Sequence, residues 1–240
     1  MWIDEGPVVG GSGGGRVEAD AQTPRPGGSR RSRVAVDGSE LIPLVGARRA
    51  GTLTVRLGEA ARAYADGRYS EARRILRPMA TEVPGSPSVL ELLALSQYRL
   101  GNYREAARRL EALRELTGGA VDQHPVLADC YRAVGRHKMV ASLWEELAEA
   151  SPSAELVNEG RLVMAGSLAD QGDPSAAIRL LERGWKLPKR PRHHHLARGY
   201  ALADLYVTVG DTPRARALMG WVASFDPELG DAARRARDLA

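Results

Sequence analysis

Five glycines, Gly67, Gly101, Gly135, Gly172 and Gly210, follow one another at intervals of 34, 34, 37 and 38 residues. A period near 34, flanked on both sides by apolar residues at helical spacing, is the pattern of a chain built from repeated helix–turn–helix units. One such unit cannot bury its apolar face alone, so the units must stack. The glycines align further columns. Seven residues before each stands an alanine: Ala60, Ala94, Ala128, Ala165 and Ala203. Five residues after stand Ala72, Ala106, Val140, Ala177 and Ala215, and nine after stand Leu76, Leu110, Trp144, Leu181 and Met219. Seventeen after, Pro84, Pro152 and Pro227 share a column. Each column has a physical reason. Small residues on two helices let the backbones approach, and a large apolar residue one turn on fills the remaining space. Glycine supplies the positive φ that ends the first helix, and proline closes the second.

The second unit shows the pattern in full. Leu90, Leu93, Ala94 and Tyr98 form one helical face, Gly101-Asn102 the turn, and Ala106, Ala107, Leu110, Leu113 and Leu116 a second face. Together with Gly67-Arg68-Tyr69, Glu71-Ala72, Leu76 and Pro84 in the unit before, these residues resemble the tetratricopeptide repeat family. The resemblance runs from about Gly51 to the C-terminus and weakens at His137 and Val140, at Pro174 and Gly184, and at Thr212. Pro78, inside a second helix, is expected to kink or shorten it. The run Pro125 to Arg136 is similar to one in tetratricopeptide proteins of high-GC actinobacteria.

The expected fold is therefore all-α: a right-handed α-solenoid of about five helix pairs over residues 49–240, closed by a capping helix over 231–239. Residues 1–48 are expected to form a disordered tail. Gly10 to Gly15, Pro7, Pro24, Pro26 and the run Arg30-Arg31-Ser32-Arg33 bury too little apolar surface to offset their ordering entropy. Leu41 to Val45 is a short apolar patch placed to dock onto the first repeat.

Solenoid geometry puts the first helix of each pair on the concave side, and the resemblance points to the columns six, three and two before each glycine. Tyr64, Tyr98, Arg99, Asp129, Arg132 and Asp204 are the partner-binding candidates there. Tyr and Arg are frequent interface anchors, although Tyr64 and Tyr98 have a second reading as packing between repeats. The lysine and asparagine clamp that captures acidic chaperone tails is missing, since Leu57, Ala61, Glu91 and Leu95 occupy its places.

A second candidate surface is the segment Lys186, Lys189, Arg190, Arg192 and Arg198, which carries no acid. It reads either as a solvated loop or as a grip on an anionic partner, phosphate or acidic peptide. His193-His194-His195 interrupts it. Consecutive helical residues point about 100° apart, so the three imidazoles cannot converge on one ion, and no metal or other cofactor is expected. The single cysteine, Cys130, falls on a helical face as a small apolar residue. No catalytic motif is present; an enzyme would need His124, Asp129 and Cys130 gathered in one pocket. With 34 basic and 30 acidic residues the net charge is only +4, not a nucleic-acid-binding composition. The N-terminus has acids where a signal peptide has basic residues, so a cytoplasmic location is expected. The expected function is non-catalytic: a protein–protein interaction scaffold that takes a partner peptide or helix in its groove. The alternative is an RNA- or ribosome-associated factor using the basic segment and the arginine tail. The oligomeric state stays open.

Overall fold

The computed structural model describes residues 37–239; the glycine-rich stretch and Arg30-Arg31-Ser32-Arg33 lie outside them. A 3-10 turn, Ser39–Leu41, leads into a short helix α1 (Ile42–Val45) and then five helix pairs. The pairs are α2 (Ala47–Ala65) with α3 (Tyr69–Glu82), α4 (Pro87–Arg99) with α5 (Tyr103–Leu116), α6 (His124–Ala133) with α7 (His137–Ala150), α8 (Ala154–Asp170) with α9 (Pro174–Glu182), and α10 (His193–Thr208) with α11 (Thr212–Phe225). A 3-10 turn at Leu229–Asp231 and helix α12 (Ala232–Asp238) follow. No strand occurs among the described residues. The chain is an all-α solenoid of helix pairs.

The turns explain the period. At Gly67, Gly101, Gly135, Gly172 and Gly210 φ lies between 73° and 84°, a region that costs glycine nothing because it has no Cβ. That conformation lets the next amide reach back across the helix end: Arg68 to the Ala63 carbonyl, Asn102 to Gln97, Arg136 to Tyr131, Asp173 to Leu168 and Asp211 to Tyr206, at 2.8–3.0 Å. The same 6→1 closure thus satisfies an orphan carbonyl at every turn. Helix starts are capped locally. Ser86, Ser153, Asp173 and Asp211 each accept a backbone N–H three residues on, and Pro87 and Pro174 follow the first and third of these in the first helical position.

The alanine column seven before the glycine is buried in all five repeats, as is the column five after it. The column nine after it is buried except at Trp144, which is half-buried while its neighbour Leu143 takes the core position. Arg161 lies over the displaced indole at 5.6 Å. Pro78 does not shorten its helix: α3 runs 14 residues, as do α5, α7 and α11. The helix that is short is α9, with 9 residues, because Gly184 (φ 71°), Pro188 and Pro191 keep the chain irregular until His193.

Helical structure is present before residue 48, at Ser39–Leu41 and Ile42–Val45. Leu41 is fully buried, and Glu40 reaches the start of α4, accepting from the Ser88 amide at 3.2 Å and the Ser88 hydroxyl at 3.1 Å, and from Ser86 Oγ. A carboxylate at a helix N-terminus meets unpaired N–H groups and the positive end of the dipole. Of the apolar patch at 41–45, Leu41 is buried and Val45 packs against the same core, while Ile42 and Leu44 stay exposed, so the segment is held by Leu41 and by the charged residue beside it. At the other end, α12 starts one residue later than expected, because Asp231 sits in the preceding turn with φ 64°.

Candidate partner-binding face

The first helices of successive pairs, α2, α4, α6, α8 and α10, touch one another in addition to their own partners, so they line one surface of the array. The column six before the glycine runs through Ala61, Leu95 and Asp129, all buried, to Asp204. The column two before it is open: Ala65, Ala133, Asp170 and Thr208 are exposed and Arg99 is half-buried.

The polar candidates on this face are tied to one another. The Tyr98 hydroxyl donates to Asp129 Oδ2 at 2.6 Å, Arg132 Nε donates to Asp129 Oδ1 at 2.8 Å, and Arg132 Nη1 donates to Asp170 Oδ2 at 3.0 Å. One chain of charge-assisted bonds thus crosses the second, third and fourth repeats. Burial and the neighbouring Asp129 carboxylate push the Tyr98 phenol far up. Burial works against the Arg132 cation, but Asp129 and then Asp170 outweigh it and its pKa rises. Tyr98 also meets Tyr103 edge-on at 5.8 Å, and Tyr64 meets Tyr69 in the same way at 5.2 Å. Burial raises the Tyr64 phenol to about 12. Arg99 lies over the Tyr69 ring at 5.7 Å, reaching back to the first repeat. Asp204 is paired with Arg235 of the capping helix, whose guanidinium also donates to Tyr200 Oη at 2.8 Å.

The basic segment divides. Lys186, Lys189, Arg190 and Arg192 are exposed, and Arg192 pairs with Glu155 at 3.1 Å. Arg198 does not belong with them: only 8% of it is accessible. Its Nε and Nη2 donate to the Leu181 carbonyl at 2.8 and 2.5 Å, and Nη2 also to the Arg183 carbonyl at 2.7 Å. A cation there satisfies the last carbonyls of the short helix α9. Burial, and then the charge of Arg161, lower its pKa to about 10.

His124, Asp129 and Cys130 are not gathered into a pocket. The His124 ring turns to Glu146 at 3.1 Å, and Cys130 is buried, its thiol pushed up to about 12 by burial and then by Asp129. Among the described residues no group of three or more His, Cys, Asp or Glu side chains is placed to hold a metal, and no helix is long and apolar enough to cross a membrane.

One recurring contact escaped the sequence reading. Tyr131 donates to Glu111, and Tyr206 to Glu182, each at 2.6 Å. Both tyrosines stand four before a glycine and both glutamates ten after the preceding one, so the same bond joins repeats two to three and four to five. The shared offsets were its signal.

Comparison with known proteins agrees with this architecture. One tetratricopeptide-repeat family model matches residues 63–130, and a second matches 159–183 and 193–221. The chain carries tetratricopeptide repeats, a class that generally mediates protein–protein interaction and is typically non-catalytic. Similar solved structures include a thermophilic TPR protein of Thermus thermophilus, with TM-score 0.58, 22% identity, and coverage of 77% of this chain and 96% of that one. A putative kinesin light chain with nearly identical TPR-like repeats, from Podosopora anserina, gives TM-score 0.56 and 20% identity over 74% of this chain and 96% of that one. YrrB, a TPR protein with an unusual peptide-binding site, gives TM-score 0.51 and 11% identity over 85% of this chain and all of that one. The comparison with curated proteins found no match.

Proposed function

We propose that this protein is a non-catalytic scaffold that binds a partner peptide or helix along the surface lined by the first helices. The observation that carries the reading is the division of labour on that surface. Tyr98, Asp129 and Arg132 are spent on one another, so they stiffen the wall of a groove. In the column two before each glycine, Ala65, Ala133, Asp170 and Thr208 stay accessible, with Arg99 half-buried among them. A rigid, preformed surface loses little entropy when a peptide docks on it. One fold neighbour, YrrB, has a peptide-binding site, which is in keeping with this use of the fold.

Ala65→Arg with Ala133→Arg tests it. Both alanines are exposed, so the double variant fills the groove without disturbing the core. Partners captured by the wild-type chain from its host extract, and resistant to nuclease, should be lost in the variant at unchanged helical content. Full retention of every such partner would remove the groove from consideration.

A further inference from the structure

We propose that Arg161 and Arg198, with Arg183 beside them, form an oxoanion-binding site where α8, the end of α9 and the start of α10 meet, suited to a carboxylate or phosphate on an acidic partner polypeptide. The site goes beyond the groove reading and does not depend on it: Arg161 and Arg198 lie on α8 and α10 but well before the open column at Asp170 and Thr208 near the ends of those helices.

Arg161 is the starting point. Its Nε is buried and has no hydrogen-bond partner, and its guanidinium rests on Trp144 at 5.6 Å. Leaving a buried donor unpaired costs the full desolvation of that group, and the cost is larger for a cation. Arg198 sits close enough for the Arg161 charge to lower its pKa, and Arg183 acts on Arg161 in the same direction, in each case after burial as the larger cause. Helices α8, α9 and α10 pack on one another here, the Arg198 guanidinium lies against the Arg183 carbonyl at 2.7 Å, and Arg161 meets like charge from both arginines. No carboxylate among the described residues pairs with any of them. Of the acids nearest in sequence, Glu155 pairs with Arg192 and Glu182 with Tyr206 and Arg214, while the Glu159 carboxyl, two residues before Arg161, is held above its ordinary range by burial and then by Glu155, with no arginine contributing.

Donors remain for a ligand. Arg198 spends Nε and Nη2 on the Leu181 and Arg183 carbonyls, which fixes the plane of its guanidinium and leaves Nη1 uncommitted. A planar fork held in this way is preorganised for an oxoanion. An anion beside the cluster would relieve the repulsion on Arg161 and offset the cost of its buried nitrogen. Around the junction, Lys186, Lys189 and Arg190 are exposed in the linker between α9 and α10, a local positive field that speeds the approach of an acidic segment.

The chemistry favours polypeptide over nucleic acid. Binding of single strands combines a basic track with open aromatic platforms. Here Trp144 and Trp185 each already carry a guanidinium, at 5.6 and 5.2 Å, and the whole chain has a net charge of only +4.

The test uses the full chain, isotope-labelled, with the arginine Nε–H and tryptophan indole signals followed by NMR. Three probes are titrated: inorganic phosphate, a hexaglutamate peptide and a hexauridylate oligonucleotide. Phosphate and hexaglutamate should each give saturable shifts at Arg161, Arg198, Trp144 and Trp185, and the tighter of the two names the source as phosphorylated or carboxylate-rich. Arg161→Gln should weaken both by about tenfold, the loss of one charge-assisted bond. Arg161→Lys, which keeps the charge and loses the fork, should fall between and covers the case in which Gln does not fold. Lys189→Gln, in the exposed linker, should change affinity only about twofold, as a screened surface charge does. Absence of saturable shifts, or equal affinity in the Arg161 variants, would overturn the site. Arg161-dependent binding of hexauridylate tighter than hexaglutamate would overturn the polypeptide assignment. Any of these results leaves the groove test untouched.

Discussion

Arg132→Met should destabilise the middle of the array far more than a surface substitution does. In the native chain Arg132 is 14% exposed and Asp129 8%, with 2.8 Å between Nε and Oδ1. The second pair, to Asp170 at 3.0 Å, involves a carboxylate that is 46% exposed. Breaking a buried pair from one side costs about 3–5 kcal/mol, because the remaining charge stays buried and uncompensated. The exposed Asp170 pair adds a few tenths at most after screening. The Tyr98 hydroxyl still donates to Asp129 at 2.6 Å, which holds the total near the lower end, on the order of 3 kcal/mol. At a urea slope of about 1–3 kcal/mol/M this moves the midpoint down by roughly 1–3 M. Adding Asp129→Asn removes the stranded charge. The double variant should therefore be more stable than Arg132→Met alone, by about 1 kcal/mol or more. Urea titration followed by circular dichroism measures both. Stacked repeats can lose cooperativity, so amide exchange over residues 124–170 should show the loss concentrated there. A midpoint shift worth under about 1 kcal/mol, or a double variant no better than the single, would refute the claim that this pair is buried and mutually dependent.

Ala94 is fully buried in the small-residue column; Ala94→Leu should overpack the helix-pair contact and cost about 1–3 kcal/mol, read as a lower urea midpoint. Cys130 is buried with its thiol held at about 12, so a thiol reagent at pH 8 should leave the folded chain unmodified and react fully in denaturant; rapid native labelling would contradict the burial. Burial holds the Glu91 carboxyl above its ordinary range, against the bond from Gln123 at 2.6 Å. The folded chain thus binds this proton more tightly than the unfolded one, and Glu91 costs stability above the ordinary glutamate value. Glu91→Gln should raise the urea midpoint at pH 7, with the advantage vanishing as pH falls below that value; an advantage independent of pH would show that charge is not the cause. Tyr131→Phe and Tyr206→Phe each remove one tyrosine–glutamate bond between repeats and should cost about 1 kcal/mol apiece, nearly equally, in the same urea assay.

The architecture was legible because its determinants are local and recurrent. A glycine that must take positive φ and an alanine that must lie under a neighbouring helix leave the same mark in each repeat. The side chains proved harder to place. Asp129 and Asp204 share a column, yet Asp129 is held from within its own helix and its neighbours by Arg132 and Tyr98, and Asp204 by an arginine of the last helix. Nothing within a repeat announces a partner 31 residues away. Arg198 misled for a related reason. A long side chain can lie along its helix or turn to a helix end, and the choice depended on where α9 stops, which Gly184, Pro188 and Pro191 decide. Trp144 shows the limit of column logic: the position is large and apolar as the register demands, but Leu143 fills the core and frees the indole for Arg161.

Two of these departures, at Trp144 with Arg161 and at Arg198, belong to the surroundings of the fourth repeat. A residue that recurs in every repeat serves the stacking common to all of them and cannot by itself distinguish one partner from another. Specificity has to come from positions where the pattern breaks. The fourth repeat breaks it more than any other: its second helix is 9 residues against 14 in each of the others, and an irregular basic linker follows. Arg161 stands there without a hydrogen-bond acceptor on its buried nitrogen. Stability alone gives no reason to keep an unpaired cation beside two others, since an apolar side chain of similar size would pack against Trp144 at lower cost. A ligand that completes the arginine cluster would supply that reason, and on the proposed reading the selective element lies at the junction of repeats four and five, away from the open column at Asp170 and Thr208.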